Sequence, residues 1–369
     1  MGKITEGSKV MVAMSGGVDS SVAALLLKEA GYSVVGVTMR LWIDPLSEEQ
    51  ASADFKGCCS MEAVNDARKV AARLEIPHHV MNMKEEFYQN VVCNFTAEYM
   101  QGRTPNPCIE CNRTIKFSYL LNKAQAMGIT SVATGHYARI KLDPQGGRYK
   151  LFKGHDRRKD QSYVLYVLGQ KELASTLFPL GDMTKEQIRE IAATCGLGVA
   201  DKKESQEICF IPDNDYRSFM ERECPEAVQP GDIVSTTGLK LGHHNGIAFY
   251  TVGQRKRLGL STPEPMYVVR IDAHGNQVVV GTERETCSAG LIAGKLNYVA
   301  GAASNQPLPV EVKIRYRAQA VPALLYPPEN GYARVIFEQE QKAVTPGQSA
   351  VFYRGEEVLG GGVIDAALP

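Results

Sequence analysis

The first half of the chain alternates short apolar runs with longer stretches whose apolar residues recur at helical spacing. Lys9–Met14 predicts a strand, Ser20–Gly31 an amphipathic helix and Val34–Arg40 a second strand. Ser60–Leu74 reads as a helix, His78–Met83 as a strand and Lys84–Gln101 as a helix. A further helix is predicted over Ile115–Met127 and a strand over Ile129–Thr134. Strand–helix–strand repetition of this kind implies a parallel sheet with helices on both faces. Beyond about Asp213 the helical period nearly vanishes. Gly, Pro and Thr punctuate short alternating runs: Gly246–Val252, Met266–Asp272, Gln277–Gly281, Val310–Arg317, Tyr332–Phe337, Ser349–Tyr353 and Val358–Ile364. Such a pattern predicts a β-barrel or sandwich. A soft break near Gly281–Gly290 divides it. The expected organisation is an α/β domain over 1–212, a small β-rich domain over 213–284 and a C-terminal β-barrel over 285–369.

Composition narrows the class. At 369 residues the chain is long enough for two or three domains, and 44% apolar content supports real cores. No apolar run approaches the roughly 20 residues that span a bilayer. The N-terminal residues lack the charged-then-apolar layout of a secretion signal, so a reducing, cytoplasmic setting is expected for the nine cysteines. There they read as catalytic, metal-binding or inert thiols rather than as disulfide staples. Lys and Arg balance Asp and Glu at 41 each, so a globally basic nucleic-acid coat is excluded, though local basic patches are not.

The first candidate chemistry is Met14-Ser15-Gly16-Gly17-Val18-Asp19-Ser20-Ser21, between the first strand and the first helix. Two glycines let the backbone approach a phosphate closely. Amides at the helix start, with the positive end of the helix dipole, cradle an anion. Ser15, Ser20 and Ser21 add hydroxyl donors, and Asp19 is a candidate ligand for Mg2+ beside a pyrophosphate. No Gly-x-x-x-x-Gly-Lys-Ser/Thr pattern occurs in this loop, which excludes the kinase-type phosphate loop. SGGVDS instead resembles the pyrophosphatase loop of the N-type ATP pyrophosphatases, which cleave ATP between the α and β phosphates and transfer AMP to a substrate oxygen. That superfamily also contains amidating ligases and several tRNA thiolation enzymes.

The second concentrated segment is Thr104-Pro105-Asn106-Pro107-Cys108-Ile109-Glu110-Cys111-Asn112-Arg113-Thr114-Ile115-Lys116-Phe117. Two prolines fix an extended entry. A helix starting at about Thr114 would put Cys111 near its N-terminus, where a thiolate is favoured. Cys209 lies in a loop-like stretch, polar then abruptly apolar, over residues 201–212. Cys58 and Cys59 precede a predicted helix, and Cys93, Cys195, Cys224 and Cys287 read as small core residues.

Together these motifs are similar to those of the tRNA-specific 2-thiouridylases. AMSGGVDSSVAA, GVTMRLW, GCCS, TPNP..CN..IKF, ATGHYAR, KDQSYVL, ESQEICFI, TVGQRKRLGL and KIRYR occur in that family's order, over nearly the whole chain. The resemblance implies that ATP sits on Ala13, Met14, Ser15, Gly16, Gly17, Val18, Asp19 and Ser20. Met39 and Gly135 would line the adenosine site. It implies adenylation of the carbon-2 oxygen of the wobble uridine of tRNA, giving AMP and pyrophosphate. Cys209 would carry a persulfide loaded by a sulfur relay protein or a cysteine desulfurase. Its terminal sulfur, or hydrosulfide released from it, would attack carbon 2. Cys111 would be the partner thiol, ending in a transient Cys111–Cys209 disulfide. The tRNAs implied are those for lysine, glutamate and glutamine.

One departure opens an alternative. Many family members have Asp where this chain has Cys108. The resulting Cys108-x-x-Cys111, with Cys209, supplies three candidate ligands for a [4Fe-4S] cluster that could carry sulfide instead of a persulfide. Zinc lacks an evident fourth ligand.

For RNA, the resemblance implies contacts from Lys159, Asp160 and Gln161, from Arg315, Tyr316 and Gln348, and from His136. Asn106, Pro107 and Cys108 would line the pocket of the target uridine. The alternating stretch Lys313–Arg317 predicts a strand with Lys313, Arg315 and Arg317 on one face, suited to phosphates. A rival reading is an amidating ligase, for which the chain has no separate glutaminase domain. A second is an RNA-binding metal protein, which leaves SGGVDS unexplained.

Overall fold

The computed structural model describes residues 7–43, 61–200, 202, 208–211 and 215–369. Cys58 and Cys59, and most of the stretch leading to Cys209, lie outside the described residues. The first strands are β1 (Lys9–Ala13), β2 (Ser33–Arg40), β3 (His78–Asn82) and β4 (Ser131–Ala133). A hairpin, β5 (Ala138–Leu142) and β6 (Tyr149–Lys153), precedes the short β7 (Thr176–Leu177). β1, β2, β3, β4 and β7 form a parallel sheet in the order β3-β2-β1-β4-β7, as the alternation predicts. Strand periodicity sorts side chains to two cores. Met11, Ala13 and Val37 face the helical segments 84–100 and 107–126. Val10, Val12, Met14 and Val34 face the helices Val18–Glu29, Met61–Arg73 and Lys185–Thr194. The chain leaves β1 in one direction and enters β4 beside it from the other. A crevice therefore opens beyond their C-terminal ends, where open parallel sheets bind ligands.

Next comes a four-stranded sheet in the order β10-β11-β8-β9, from β8 (Gly231–Ser235), β9 (Lys240–His244), β10 (Tyr267–Asp272) and β11 (Gln277–Gly281). Ile233, Val268, Val278 and Val280 form its small core. Six antiparallel strands then close into a barrel: β12 (Cys287–Tyr298), β13 (Leu308–Lys313), β14 (Val321–Leu325), β15 (Ala333–Lys342), β16 (Ser349–Arg354) and β17 (Glu357–Leu368). The β12–β17 pairing closes it and removes the open edges. No helix among the described residues is long and apolar enough to cross a membrane.

Three local expectations are corrected. Gly246–Val252 is not a strand but holds a single 3-10 turn at Ile247–Phe249, because its apolar residues plug the small core from outside the sheet. The strand predicted over Val310–Arg317 ends at Lys313. The chain turns there, with Ala318 N–H donating to the Arg315 carbonyl at 3.1 Å. Lys313, Arg315 and Arg317 therefore do not share a strand face. The helix expected from Thr114 begins at Pro107, with the Asn106 carboxamide oxygen accepting from Cys108 N–H at 3.1 Å. Cys111 consequently sits one turn inside the helix, at the start of a π-helical stretch, Cys111–Tyr119.

The parts interlock. β6 pairs with β17 through Leu151–Val358 and Phe152–Glu357, so a hairpin of the α/β region extends the barrel sheet. Tyr163 OH donates to the Ser349 carbonyl at 2.8 Å, and Tyr166 OH meets Ser349 Oγ at 3.0 Å. Buried tyrosines thus satisfy their hydroxyls across the junction.

Candidate active site

The phosphate loop owes its shape to its glycines. Gly16 has φ of +69°, and a Cβ there would lie 2.2 Å from the Ala63 carbonyl oxygen. Gly135 presses on the same loop from the end of β4. A Cβ on it would sit 2.8 Å from both Asp19 C and Ser20 N. Ser20 Oγ accepts from Ser15 N–H at 3.1 Å and donates to the Gly17 carbonyl at 3.2 Å, which holds the turn closed. Ser21 Oγ donates to the same carbonyl at 2.9 Å. The helix Val18–Glu29 has no side-chain cap, so its first amides are available to an anion.

A cavity of ≈ 390 Å³ opens at this point, within the roughly 300–1,000 Å³ usual for small-molecule sites. Its walls bring together distant expectations. From the loop come Ala13, Met14, Ser15, Gly17, Val18, Asp19 and Ser20, and from the sheet Met39, Gly135 and His136. Pro107, Cys108, Cys111, Gln161 and Cys209 complete the set. The phosphate loop and all three cysteines therefore share one chamber, although nearly 200 residues separate their extremes in sequence. Cys108 is exposed, Cys111 buried and Cys209 half-buried. Gly16, Asn106, Lys159, Asp160, Arg315, Tyr316 and Gln348 do not line it.

Asp19 differs from expectation. Lys185 Nζ donates to both its carboxylate oxygens at 2.8 Å, and Tyr137 OH donates to Oδ1 at 2.6 Å. Lys185 is 5% exposed. The carboxylate expected to receive Mg2+ is thus engaged by an ammonium group, which disfavours a second cation at the same oxygens. Neither partner was foreseen from the sequence. A signal existed: Lys185 follows the N-cap Thr184 of its helix, where the dipole disfavours a cation, so a lysine there calls for an acidic partner.

Lys116 and Lys202 also line the cavity and were not singled out. Lys202 Nζ bonds Asp66 at 2.7 Å. His136 is buried and packs against the rings of Phe117 and Phe178 at centroid distances of 5.8 Å, the two phenylalanines also touching each other at 5.9 Å. Its Nδ1 meets Thr134 Oγ1 at 2.7 Å. Burial, helped by the Lys116 charge, holds its pKa well below the usual histidine value, so the ring is neutral. Asn112 is buried too, donating to the Val164 carbonyl at 2.9 Å.

The remaining expected contact residues, Gln161 on the cavity wall and those outside it, have partners within the protein. Asp160 accepts from the Gly154 and Ser162 amides at 2.9 and 3.1 Å and from Ser162 Oγ at 2.9 Å. Gln161 Oε1 accepts from Tyr137 N–H at 3.0 Å. Arg315 Nη2 donates to the Val252 and Ala343 carbonyls and to Thr345 Oγ1, at 3.1, 2.7 and 2.6 Å. Tyr316 is exposed on the turn.

For a [4Fe-4S] cluster the fit fails. Among the described residues no three His, Cys, Asp or Glu side chains are gathered as metal ligands. Cys108, Cys111 and Cys209 share a chamber without forming such a group.

Comparison with known proteins covers the chain in three pieces. A family model described as the tRNA methyl transferase HUP domain matches residues 8–213, the tRNA methyl transferase PRC-barrel domain 217–282, and the aminomethyltransferase beta-barrel domain 288–364. The tRNA-specific 2-thiouridylase MnmA of Natranaerobius thermophilus is 51% identical over 357 residues, 97% of each chain. The enzyme of the same name from Carboxydothermus hydrogenoformans is 52% identical over 98% of each chain. That of Acetivibrio thermocellus is 52% identical over 96% of this chain and 99% of its own.

Proposed function

The chain belongs to the tRNA-specific 2-thiouridylase family, and we propose that it converts the wobble uridine of tRNA to 2-thiouridine by adenylation and then sulfur transfer. The observation that carries this reading is the shared chamber: an ATP-type phosphate loop and the thiols of Cys111 and Cys209 open onto one cavity. Activation and substitution at one carbon need both within reach of the same base.

The carbon-2 oxygen of uridine attacks the α-phosphorus of ATP and pyrophosphate leaves. The amides at the start of the helix Val18–Glu29 bind the phosphates. A poor leaving group becomes AMP, which divides one hard step into two. The terminal sulfur of a Cys209 persulfide, directly or as hydrosulfide, then attacks carbon 2, and AMP departs with the oxygen. Cys111 thiolate attacks Cys209 Sγ and closes the Cys111–Cys209 bond with its own electron pair, while the pair of the broken Sγ–sulfur bond leaves with the transferred sulfur, after substitution in the direct route and before it when hydrosulfide is the nucleophile. An external thiol reopens that bond. Gly135 and Met39 frame the adenosine. Pro107 and Cys108, from the cavity wall, and Asn106 beside them would receive the flipped uridine. His136, neutral, offers a hydrogen bond without adding charge.

Lys159 and Tyr316 are the proposed outer contacts to tRNA, with Asp160, Gln161 and Arg315 shaping the surfaces they stand on. The tRNAs for lysine, glutamate and glutamine are the proposed substrates. A cysteine desulfurase, or a relay protein it charges, is the proposed sulfur source, in the reducing cytoplasm.

The test is thiolation of unmodified tRNA by chelator-washed protein, with ATP and a persulfide-generating cysteine desulfurase, read by nucleoside mass spectrometry. Expected is 2-thiouridine from wild type and none from Cys111→Ser or Cys209→Ser. Product only after reconstitution with iron and sulfide would overturn the persulfide route. No product under either condition would overturn the function.

A further inference from the structure

We propose that the barrel turn 343–348 sets the position of the cysteine-bearing helix, and that Gln348 is a positioning residue acting through the backbone of Thr104 and Pro105. The inference rests on the reading of Cys111 as a reacting thiol.

Gln348 Nε2 donates to the Thr104 carbonyl at 2.7 Å and to the Pro105 carbonyl at 3.5 Å. Thr104 N–H donates back to the Pro346 carbonyl at 2.8 Å. Between these bonds lies Gly347, with φ of +90°. A Cβ there would sit 2.7 Å from Thr104 N and 3.0 Å from its C and O, so the two backbones touch. One residue earlier, Arg103 donates to Asp365 at 2.9 Å, to the Ile364 carbonyl at 3.1 Å and to Glu98 at 2.7 Å. The central domain touches the same segment. Thr104 Oγ1 meets Thr251 Oγ1 at 3.4 Å, and Gly102 lies against Ile271. The Arg315 bonds to Val252, Ala343 and Thr345 tie that domain to the same turn.

The segment from this grip to Cys111 is stiff. Pro105 and Pro107 fix their own φ and restrict the residues before them. Asn106 caps the helix through Cys108 N–H. Few soft dihedrals therefore remain between the Gln348 amide and Cys111, and displacement at Thr104 reaches the thiol undamped. A side chain reserved for tRNA would not need two backbone carbonyls on the approach to Cys111.

The test uses the full chain and Gln348→Met, which keeps length and removes the donor. Expected is a fall in kcat of about tenfold or more, because ångström-scale misplacement of a reacting group costs up to about a hundredfold. KM for tRNA should stay within about threefold. In the absence of tRNA, the rate of Cys111 alkylation by iodoacetamide, read at peptide level, should shift by at least about threefold. Gly347→Ala, which disturbs Thr104 by a different route, should move both readouts the same way. A Gln348→Met chain with raised KM, unchanged kcat and unchanged Cys111 alkylation overturns the proposal and makes Gln348 a direct tRNA contact. Unchanged values throughout also overturn it. Alkylation needs no thiolation, so a wild type inactive on tRNA would sink the functional reading without obscuring this one.

Discussion

Gly135→Ala is the substitution whose consequence is tied most directly to the geometry. The new Cβ would lie 2.8 Å from Asp19 C and Ser20 N, and 3.0 Å from Asp19 Cβ. Ordinary contact begins near 3.4 Å, so the loop must retreat by at least 3.4 − 2.8 = 0.6 Å. The loop has little freedom to do so. Asp19 is held by Lys185 at 2.8 Å and by Tyr137 at 2.6 Å, and Ser20 is bonded to Ser15 and Gly17. Forcing one extra carbon into such packing costs roughly 1–3 kcal/mol. Carried by the ATP-binding conformation, that is about a 5- to 150-fold loss of affinity, at about 1.4 kcal/mol per tenfold. Equilibrium dialysis with ATP measures it, with circular dichroism to check the fold. Gly146→Ala, in an exposed turn, is the matched control and should bind as wild type does. A Gly135→Ala chain that binds ATP within twofold of wild type would refute the claim that β4 sets the loop's position.

Lys185→Met leaves the Asp19 carboxylate without its ammonium partner. Truncating one member of a buried pair costs roughly 3–5 kcal/mol, and because the Asp19 side chain is 30% exposed about 2–3 kcal/mol is expected. Urea unfolding measures it, and a loss below about 1 kcal/mol would show the pair to be incidental. His136 gives a pH signature. Its folded pKa lies below the unfolded value of 6.5, so the unfolded chain takes up a proton first. Stability is complete above pH 6.5 and declines as pH falls below it, by up to about 1.4 kcal/mol per unit. His136→Asn should flatten that decline in midpoints measured from pH 7 to 5, and an unaltered slope would mean the imidazole is not desolvated. Cys111→Ser and Cys209→Ser should abolish 2-thiouridine while leaving ATP dialysis unchanged. Full thiolation by either variant would remove that cysteine from the reaction.

Much of the site was legible because its chemistry is local. The Gly16–Gly17 turn, the strand before it and the helix after it are contiguous, so their joint meaning can be read without coordinates. The proline-bounded run around Cys108 and Cys111 is similar, and the parallel-sheet character followed from alternating periods. Misreadings arose where the period could not decide. Lys313–Arg317 alternates as a strand does, yet only Lys313 finds a neighbouring strand to bond, and a strand without a partner does not form. The helix bearing Cys111 starts early because Asn106 caps it and Pro107 fits the first turn, a signal present but overlooked.

Residue order was enough to establish the α/β character of the first half and the barrel character of the last third, and to single out the Gly16–Gly17 loop and the candidate thiols. All rest on patterns among residues a few positions apart. Folding in three dimensions was needed to show that Asp19 answers Lys185, 166 residues away, and that Gln348 reaches Thr104 across 244. It was needed equally to show β6 joining the barrel at β17. Such pairings depend on how packed layers meet, and chain connectivity carries no record of the distances they close.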